Sequence, residues 1–394
     1  MNKRVVVGLS GGVDSAVTAL LLQREGYEVV AIFMRNWHDE SVVIGNECPW
    51  IDDSNDAMLV AEHLGIPFHV LDLSAEYKKR IVDYMFREYQ AGYTPNPDIL
   101  CNREIKFDVF LQAAMNLKAD YVATGHYARK GEILANGKTV YQLFSGLDPN
   151  KDQSYFLCQL SQAQLSKALF PIGHLLKSEV REIAQQAGLP VAAKKDSQGL
   201  CFIGKVKLPV FLQQQLEPKE GKVIEVPDDS SLFPHHEFPH DDMFPEGAVA
   251  SYQFSAKNGR AIGTHHGAHF YTIGQRKGLG VGGKAEPLFI VNTDTKDNLV
   301  YVGQGEHHRA LYRRGLLIRN EDIHWIREDL ALEEGESDWF DLRIRYRQPL
   351  TKAKMMKVEQ GMYIVFDEMQ RGIARGQFAA WYRGEELLGS GAIA

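Results

Sequence analysis

The chain has 394 residues, of which 44% are hydrophobic and 24% charged, with a formal net charge of -7. That length divides into two or three domains of ordinary globular composition. No apolar run approaches a signal-peptide core or a membrane span, which predicts a cytoplasmic protein. The acidic balance excludes a protein that is basic throughout, so a nucleic-acid partner must meet a local basic face. Four cysteines, Cys48, Cys101, Cys158 and Cys201, are too few for a disulfide framework, and any that are chemically active read as redox or nucleophilic groups.

Arg4 to Leu9 is a β-branched run that predicts a buried strand, and Ala16 to Arg24 has helical composition. Between them, Gly8, Leu9, Ser10, Gly11, Gly12, Val13, Asp14 and Ser15 form a glycine loop. Strand, loop and helix together make an anion cradle: the glycines bring backbone N–H groups against a phosphate, and the helix N-terminus adds partial positive charge. No lysine follows, so this is not the loop of ordinary NTPases. It looks instead like the loop of enzymes that split ATP into AMP and pyrophosphate; a serine-capped Gly-Gly turn is the alternative. Glu28 to Met34 predicts a second strand, Asn55 to Leu64 a helix and Pro67 to Leu73 a third strand. This order implies an α/β fold with a doubly wound parallel sheet. Ligands of such sheets lie beyond the carboxyl ends of the strands, which places Gly8 to Ser15 and the residues near Met34 around one nucleotide. Met34 covers an adenine face or fills core.

Thr94 to Phe107 is the next stretch that carries chemistry. Pro95 and Pro97 fix an extended loop, and Asp98 and Cys101 lie three apart on one face of a helical turn. Arg103 and Lys106 favour a thiolate at Cys101; the alternative is a buried packing cysteine. Tyr121 to Tyr127 predicts a strand ending in a glycine turn, which brings His126 to the same carboxyl edge. A hairpin is expected over Gly131 to Leu143, a helix cap at Asn150 to Phe156 and an amphipathic helix from Lys177 to Gly188. Cys201 sits between Gly199 and Gly204 in a loop opened by Lys194 and Lys195, again a setting for a thiolate or for packing.

From Lys205 short strands with glycine turns replace the β-α alternation. The expected domains are 1–204, 205–284 with an insertion near 226–261, and 285–394. His235, His236 and His240 in the insertion suit a metal, though a proline-broken acidic loop is more often solvated, and no metal is expected there. Leu288 to Asn292, Leu299 to Gln304, Tyr363 to Phe366 and Gln377 to Tyr382 read as strands of a small β-barrel. On a strand, Arg343, Arg345 and Arg347 share one face, a basic stripe extended by Lys352, Lys354 and Lys357 and suited to a polyanion.

Ser10 to Ser15, Thr94 to Asn102, Ala123 to Tyr127, Asn150 to Phe156, Lys194 to Gly204, Gly274 to Gly280 and Arg345 to Gln348 together make the chain resemble the tRNA-specific 2-thiouridylases. The resemblance implies an adenine-nucleotide α-hydrolase-like domain, a small central domain and a C-terminal β-barrel. The implied reaction is ATP-dependent 2-thiolation of the wobble uridine of tRNA, through an adenylated base and a cysteine persulfide. Gly8 to Ser15, Met34 and Gly125 would hold ATP, with Mg2+; Asn96, Pro97 and Asp98 would meet the target base. Cys101 would be the nucleophile and Cys201 the persulfide carrier, while His126, Lys151, Asp152, Gln153, Arg345, Tyr346 and Gln377 would contact tRNA. Asp98 is also the candidate for proton transfer at the base or thiol. Implied partners are the wobble-uridine tRNAs for Lys, Glu and Gln, a persulfide sulfur-carrier protein and a reductant for a Cys101–Cys201 disulfide. Competing readings are a synthetase that adenylates a small carboxylate, a non-enzymatic tRNA-binding module, and an iron–sulfur cluster on Cys101, Cys201 and Asp98, which falls short of the usual four cysteines.

Overall fold

Val5, Val6 and Val7 are all closed to solvent, as β-branched residues are in a strand covered on both faces. The structure is a computed structural model that describes residues 2–36, 49–195, 208–213, 215–233 and 246–394. Cys48, Cys201 and the insertion histidines His235, His236 and His240 lie outside the described residues. The chain opens with β1 (Arg4–Gly8), β2 (Glu28–Arg35), β3 (Phe68–Asp72) and β4 (Tyr121–Ala123). A hairpin follows, β5 (Ala128–Ala135) and β6 (Lys138–Ser145), and then the short β7 (Ala168–Leu169). The first sheet runs β3-β2-β1-β4-β7, with parallel pairing throughout. Its order reverses at β1, which leaves a crevice at the carboxyl ends of β1 and β4.

Side chains alternate across this sheet. Ala31 and Phe33 face the helices Val13–Arg24, Pro49–Leu64 and Lys177–Gln186. Ile32 and Met34 face the other layer, with Tyr77, Phe86, Ile99 and Phe110. No helix among the described residues is long and apolar enough to cross a membrane.

A second sheet contains β8 (Gly221–Glu225), β9 (Arg260–His265), β10 (Leu288–Asp294) and β11 (Leu299–Gln304), in the order β10-β11-β8-β9. The two strands expected at Leu288 and Leu299 therefore exist but pair with the middle of the chain rather than with the barrel. The barrel is built from β12 (Tyr312–Trp325), β13 (Ser337–Arg343), β14 (Thr351–Val358), β15 (Gly361–Arg371), β16 (Phe378–Arg383) and β17 (Glu386–Ile393). These six strands run β12-β15-β14-β13-β16-β17, and pairing of β12 with β17 closes the circle. Leu316, Ile318, Phe340, Leu342, Ile364 and Trp381 form a core at alternate positions.

The β5–β6 hairpin joins the first and last parts. Asn136 (φ 50°) and Gly137 (φ 73°) give it the two left-handed positions of a tight primed turn. Its second strand then pairs with β17, Leu143 opposite Leu387. Beneath that pairing a single apolar cluster contains Tyr155, Leu157 and Cys158 from the first part together with Phe378, Tyr382 and Leu387 from the barrel. Polar groups inside the seam are matched: Tyr155 donates to Phe378 O (3.0 Å), Gln159 Nε2 to Ser390 Oγ (2.8 Å) and Ser390 Oγ to Cys158 O (2.8 Å).

The seam also corrects the expected basic stripe. Strand β13 stops at Arg343, the chain bends over 344–347, and Arg347 takes a left-handed backbone (φ 64°). Arg343 turns inward to the buried Asp152 carboxylate (3.0 Å), Arg345 donates to Gly372 O, and only Arg347 of the three is exposed. Lys352 pairs with Asp341 across the ladder at 2.9 Å. Three arginines at alternate positions thus serve three different tasks.

Asp152 accepts from Gly146 N (3.1 Å) and Ser154 N (3.0 Å) as well as from Arg343. Removing one partner of a buried ion pair strands the other charge. Asp152→Ala is expected to lower the unfolding free energy by about 3 kcal/mol, read by chemical denaturation; a loss below about 1 kcal/mol would mean the pair does not hold the seam.

Candidate active site

The glycine loop is shaped by contacts that allow no side chain. A Cβ on Gly11, whose φ is 74°, would stand 2.1 Å from Asp53 O, and one on Gly125 would stand 2.8 Å from both Asp14 C and Ser15 N. The turn after β4 therefore rests on the backbone that starts the first helix. Within the loop, Ser15 Oγ donates to Gly12 O (3.1 Å) and accepts from Ser10 N (3.1 Å). Leu9 N donates to Ile32 O (2.9 Å). Gly12 is the N-cap of Val13–Arg24 and supplies no capping side chain, so the helix start presents backbone N–H groups to an anion.

The charges around the loop are arranged to hold it. Asp14 accepts from Lys177 Nζ (2.7 and 2.9 Å) and from Tyr127 OH (2.8 Å), which ties its carboxylate to the helix Lys177–Gln186 and to the turn after β4. Lys194 donates to Gly11 O (3.0 Å), Asp53 Oδ1 (2.7 Å) and Asp56 Oδ2 (2.5 Å). Burial lowers the Lys194 pKa, but bonding to Asp53 and Asp56 outweighs it and the net shift is upward. Lys194, read from sequence as part of an electropositive setting for Cys201, is thus committed to the glycine loop and the second helix.

At the same edge Met34 lies against Gly8. Two residues further, Asn36 is 2% exposed, and neither its Nδ2 nor its Oδ1 has a hydrogen-bond partner among the described residues. A buried carboxamide with no partner in the chain is rare and calls for one from outside it, a water, an ion or a ligand. Composition and periodicity gave no sign of it; the only available signal was a polar residue directly after a buried strand.

The stretch from Gly92 to Asn102 is clamped by all three parts of the chain. A Cβ on Gly92 would meet Thr295 at 3.1 Å, Thr94 Oγ1 donates to Thr272 Oγ1 (3.2 Å), and Thr94 N donates to Arg375 O (2.7 Å). Gln377 Nε2 donates to Thr94 O (2.9 Å) and Pro95 O (3.2 Å), and its Oε1 accepts from Asn96 Nδ2 (3.4 Å). Arg375, absent from the sequence reading, donates to Tyr93 OH (2.8 Å) and lies over its ring. Asn96 caps the short helix Pro97–Leu100 by accepting from Ile99 N. Asp98 is half-buried and Cys101, at the start of a π-helical run to Val109, is fully buried. π-helical segments occur often at functional positions. Arg103 is engaged by Glu104 (2.8 Å) and Gln159 (2.8 Å). Cys158 is a different kind of cysteine: burial pushes its thiol up to about 12, so it is inert packing in the seam.

The remaining expected site residues divide. His126 is buried among Phe107 and Phe170, with Nδ1 at 2.6 Å from Thr124 Oγ1 and Nε2 at 3.5 Å from Lys106 Nζ. Asp152 and Gln153 are used internally, Gln153 Oε1 accepting from Tyr127 N (3.1 Å). Lys151 is half-buried beside them. Tyr346 packs on Phe156 with ring centroids 4.4 Å apart, and Arg347 lies over its ring. No three His, Cys, Asp or Glu side chains gather into a metal site among the described residues.

Residues 3–205 match the family model described as the tRNA methyl transferase HUP domain, 248–304 that of the tRNA methyl transferase PRC-barrel domain, and 316–393 that of the aminomethyltransferase beta-barrel domain. Over 393 residues the chain is 58% identical to a protein of Christiangramia forsetii described as tRNA-specific 2-thiouridylase MnmA, covering 99% of this chain and 100% of that one. Relatives with the same description from Flavobacterium johnsoniae and Karelsulcia muelleri are 59% and 46% identical, with 99% or more of each chain covered. The first two family-model descriptions name a methyl transferase and these full-length relatives a thiouridylase, so the two differ in the group transferred.

Burial, and after it the Lys106 ammonium, hold the His126 pKa well below the ordinary imidazole range. Below about pH 6.5 the unfolded chain binds a proton at this residue that the folded chain refuses, so stability present above that pH falls on acidification. The wild type is expected to lose up to about 1.4 kcal/mol per pH unit more than His126→Asn between pH 6 and 5, measured by urea unfolding. Parallel curves would show that His126 titrates freely in the folded chain.

Proposed function

Because the chain belongs to the tRNA-specific 2-thiouridylase family, we propose that it transfers sulfur to C2 of the wobble uridine of tRNA at the expense of ATP. The observation that carries the nucleotide half of this reading is the glycine cradle, where an uncapped helix start is held open by Gly125 lying on the backbone of Asp14 and Ser15. Its N–H groups suit the phosphates of ATP, and Met34 suits an adenine face. Mg2+ would arrive with the nucleotide, coordinated chiefly by phosphate oxygens, as is usual for this ion.

A uracil O2 is a poor leaving group. Its attack on the α-phosphate forms an O–P bond, breaks the bond to the β-phosphate and releases pyrophosphate, while the N3 proton passes to a base, for which Asp98 is the candidate. AMP is then a competent leaving group. A terminal persulfide sulfur on Cys201 attacks C2 and expels AMP, and Cys101 then attacks the Cys201 sulfur, breaking the S–S bond and leaving the outer sulfur on C2; or Cys101 first attacks the Cys201 sulfur of the persulfide and frees hydrosulfide, which attacks C2 and expels AMP. Either way a Cys101–Cys201 disulfide results, and an external dithiol must reduce it. Cys101 is fully buried, so its thiol takes part only after the surrounding loop has opened. The tRNA-facing roles proposed for Asn96, Pro97 and Gln377 draw support from the clamp, in which Gln377 bonds Asn96 and the carbonyls of Thr94 and Pro95; those proposed for Lys151, Arg345 and Tyr346 rest on the family.

In an anaerobic single turnover with Mg-ATP, a persulfide donor and an unmodified tRNA transcript, the wild type is expected to give 2-thiouridine and AMP in equal amounts, and Cys201→Ser to give product only from free sulfide. Neither thiolated base nor AMP from the wild type would sink the reading. Gly125→Ala pushes a methyl into the loop backbone, and a misplacement of that size can cost about a hundredfold in rate. AMP formation is expected to fall at least about tenfold with tRNA affinity retained; an unchanged rate would remove the cradle from the mechanism.

A further inference from the structure

Asn102 follows Cys101 and lies one helical turn beyond Asp98. Its carboxamide has a fixed orientation: Nδ2 donates to Asp98 O (3.0 Å) and to Phe156 O (3.1 Å), and an oxygen in that place would face two other acceptors. Oδ1 is therefore held as an acceptor. It is buried without a hydrogen-bond partner among the described residues, in a residue 2% exposed. A buried acceptor left without a donor is costly, and the donor that relieves it is a water, an ion or a ligand.

We infer that Asn102 Oδ1 receives the N3–H of the target uracil and so distinguishes uracil from cytosine at the modified position. This rests on the thiouridylase reading. The pairing edge of uracil runs acceptor, donor, acceptor through O2, N3–H and O4, whereas cytosine carries a lone pair at N3. An acceptor opposite N3 bonds uracil and repels cytosine, and a site built around one hydrogen bond discriminates strongly against a base that lacks the partner. N3 also adjoins C2, so a base held there presents its reacting carbon on the side that carries the Asp98 loop and Cys101. Asn102 takes no proton: Oδ1 accepts N3–H while the uridine binds, and that bond is given up when the N3 proton passes to Asp98 as O2 attacks. It aligns the base, and the opening that uncovers the Cys101 thiol must uncover Oδ1 as well.

The test is equilibrium binding of full-length tRNA with uridine or 3-deazauridine at the wobble position, the latter replacing N3–H by C–H with little change of shape. The wild type is expected to prefer the uridine tRNA by about tenfold or more, and Asn102→Ala to lose that preference while binding the 3-deazauridine tRNA as the wild type does. Equal wild-type affinity for the two RNAs overturns the inference without any variant. So does an Asn102→Ala protein that weakens both RNAs by one factor and keeps their ratio, because that is the result of a purely structural role. If Asn102→Ala does not fold, Asn102→Ser, whose hydroxyl still donates to one of the two carbonyls, takes its place. A wild type that binds the uridine tRNA but makes neither AMP nor thiolated product fails the thiouridylase reading instead, and this inference falls with it.

Discussion

The buried carboxylate of Asp152 is the contact on which the arrangement of the other parts depends. It closes the turn after the β5–β6 hairpin through Gly146 N and Ser154 N, and it draws Arg343 off the end of β13. One residue thereby fixes where the hairpin leaves the first sheet and how the barrel sits on it. Once the barrel is seated, its loop at Arg375 and Gln377 falls on Thr94, Pro95 and Asn96, and the Cys101 helix inherits its position from that contact. The pair is screened from water, with side-chain exposures of 11% for Arg343 and 5% for Asp152. A buried pair of this kind contributes geometry more than net stability, because both charges were desolvated to make it.

Local patterns were legible because their causes are local. The β-branched run at Val5, the glycine loop, the helix ending at a left-handed Gly188 and the strand Leu299–Gln304 all follow from neighbouring residues. The parallel sheet and the presence of a barrel were legible for the same reason. Partner choice was not. Period-2 spacing makes Arg343, Arg345 and Arg347 look like one face only if the strand continues, and it stops where Asp152, nearly two hundred residues earlier, claims the first of them. Strands at Leu288 and Leu299 were correctly placed along the chain and wrongly placed in space, since nothing in a strand names the sheet it will join.

The loop charges teach the same lesson at the candidate site. Lys177 and Lys194 lie far from the glycine loop in sequence, yet both reach it by bonding Asp14 and the Asp53–Asp56 pair. Their work is to hold loop and helices together. Asn36 and Asn102 escaped notice because a partnerless amide can be recognised only after every neighbour has been placed.

The hairpin has a consequence for how the chain is made. Strand β6 and the apolar surface around Leu143 and Tyr155 are covered by Leu387 and its neighbours, about 240 residues later in the chain. At ordinary rates of synthesis that cover arrives roughly 10 to 50 s after the hairpin itself. For that interval the nascent first domain carries an uncovered strand edge, the commonest template for pairing between chains. Polysomes crowd such half-made domains side by side. At that edge the polar Asn136–Gly137 tip and Lys138 discourage such pairing while the chain is still on the ribosome.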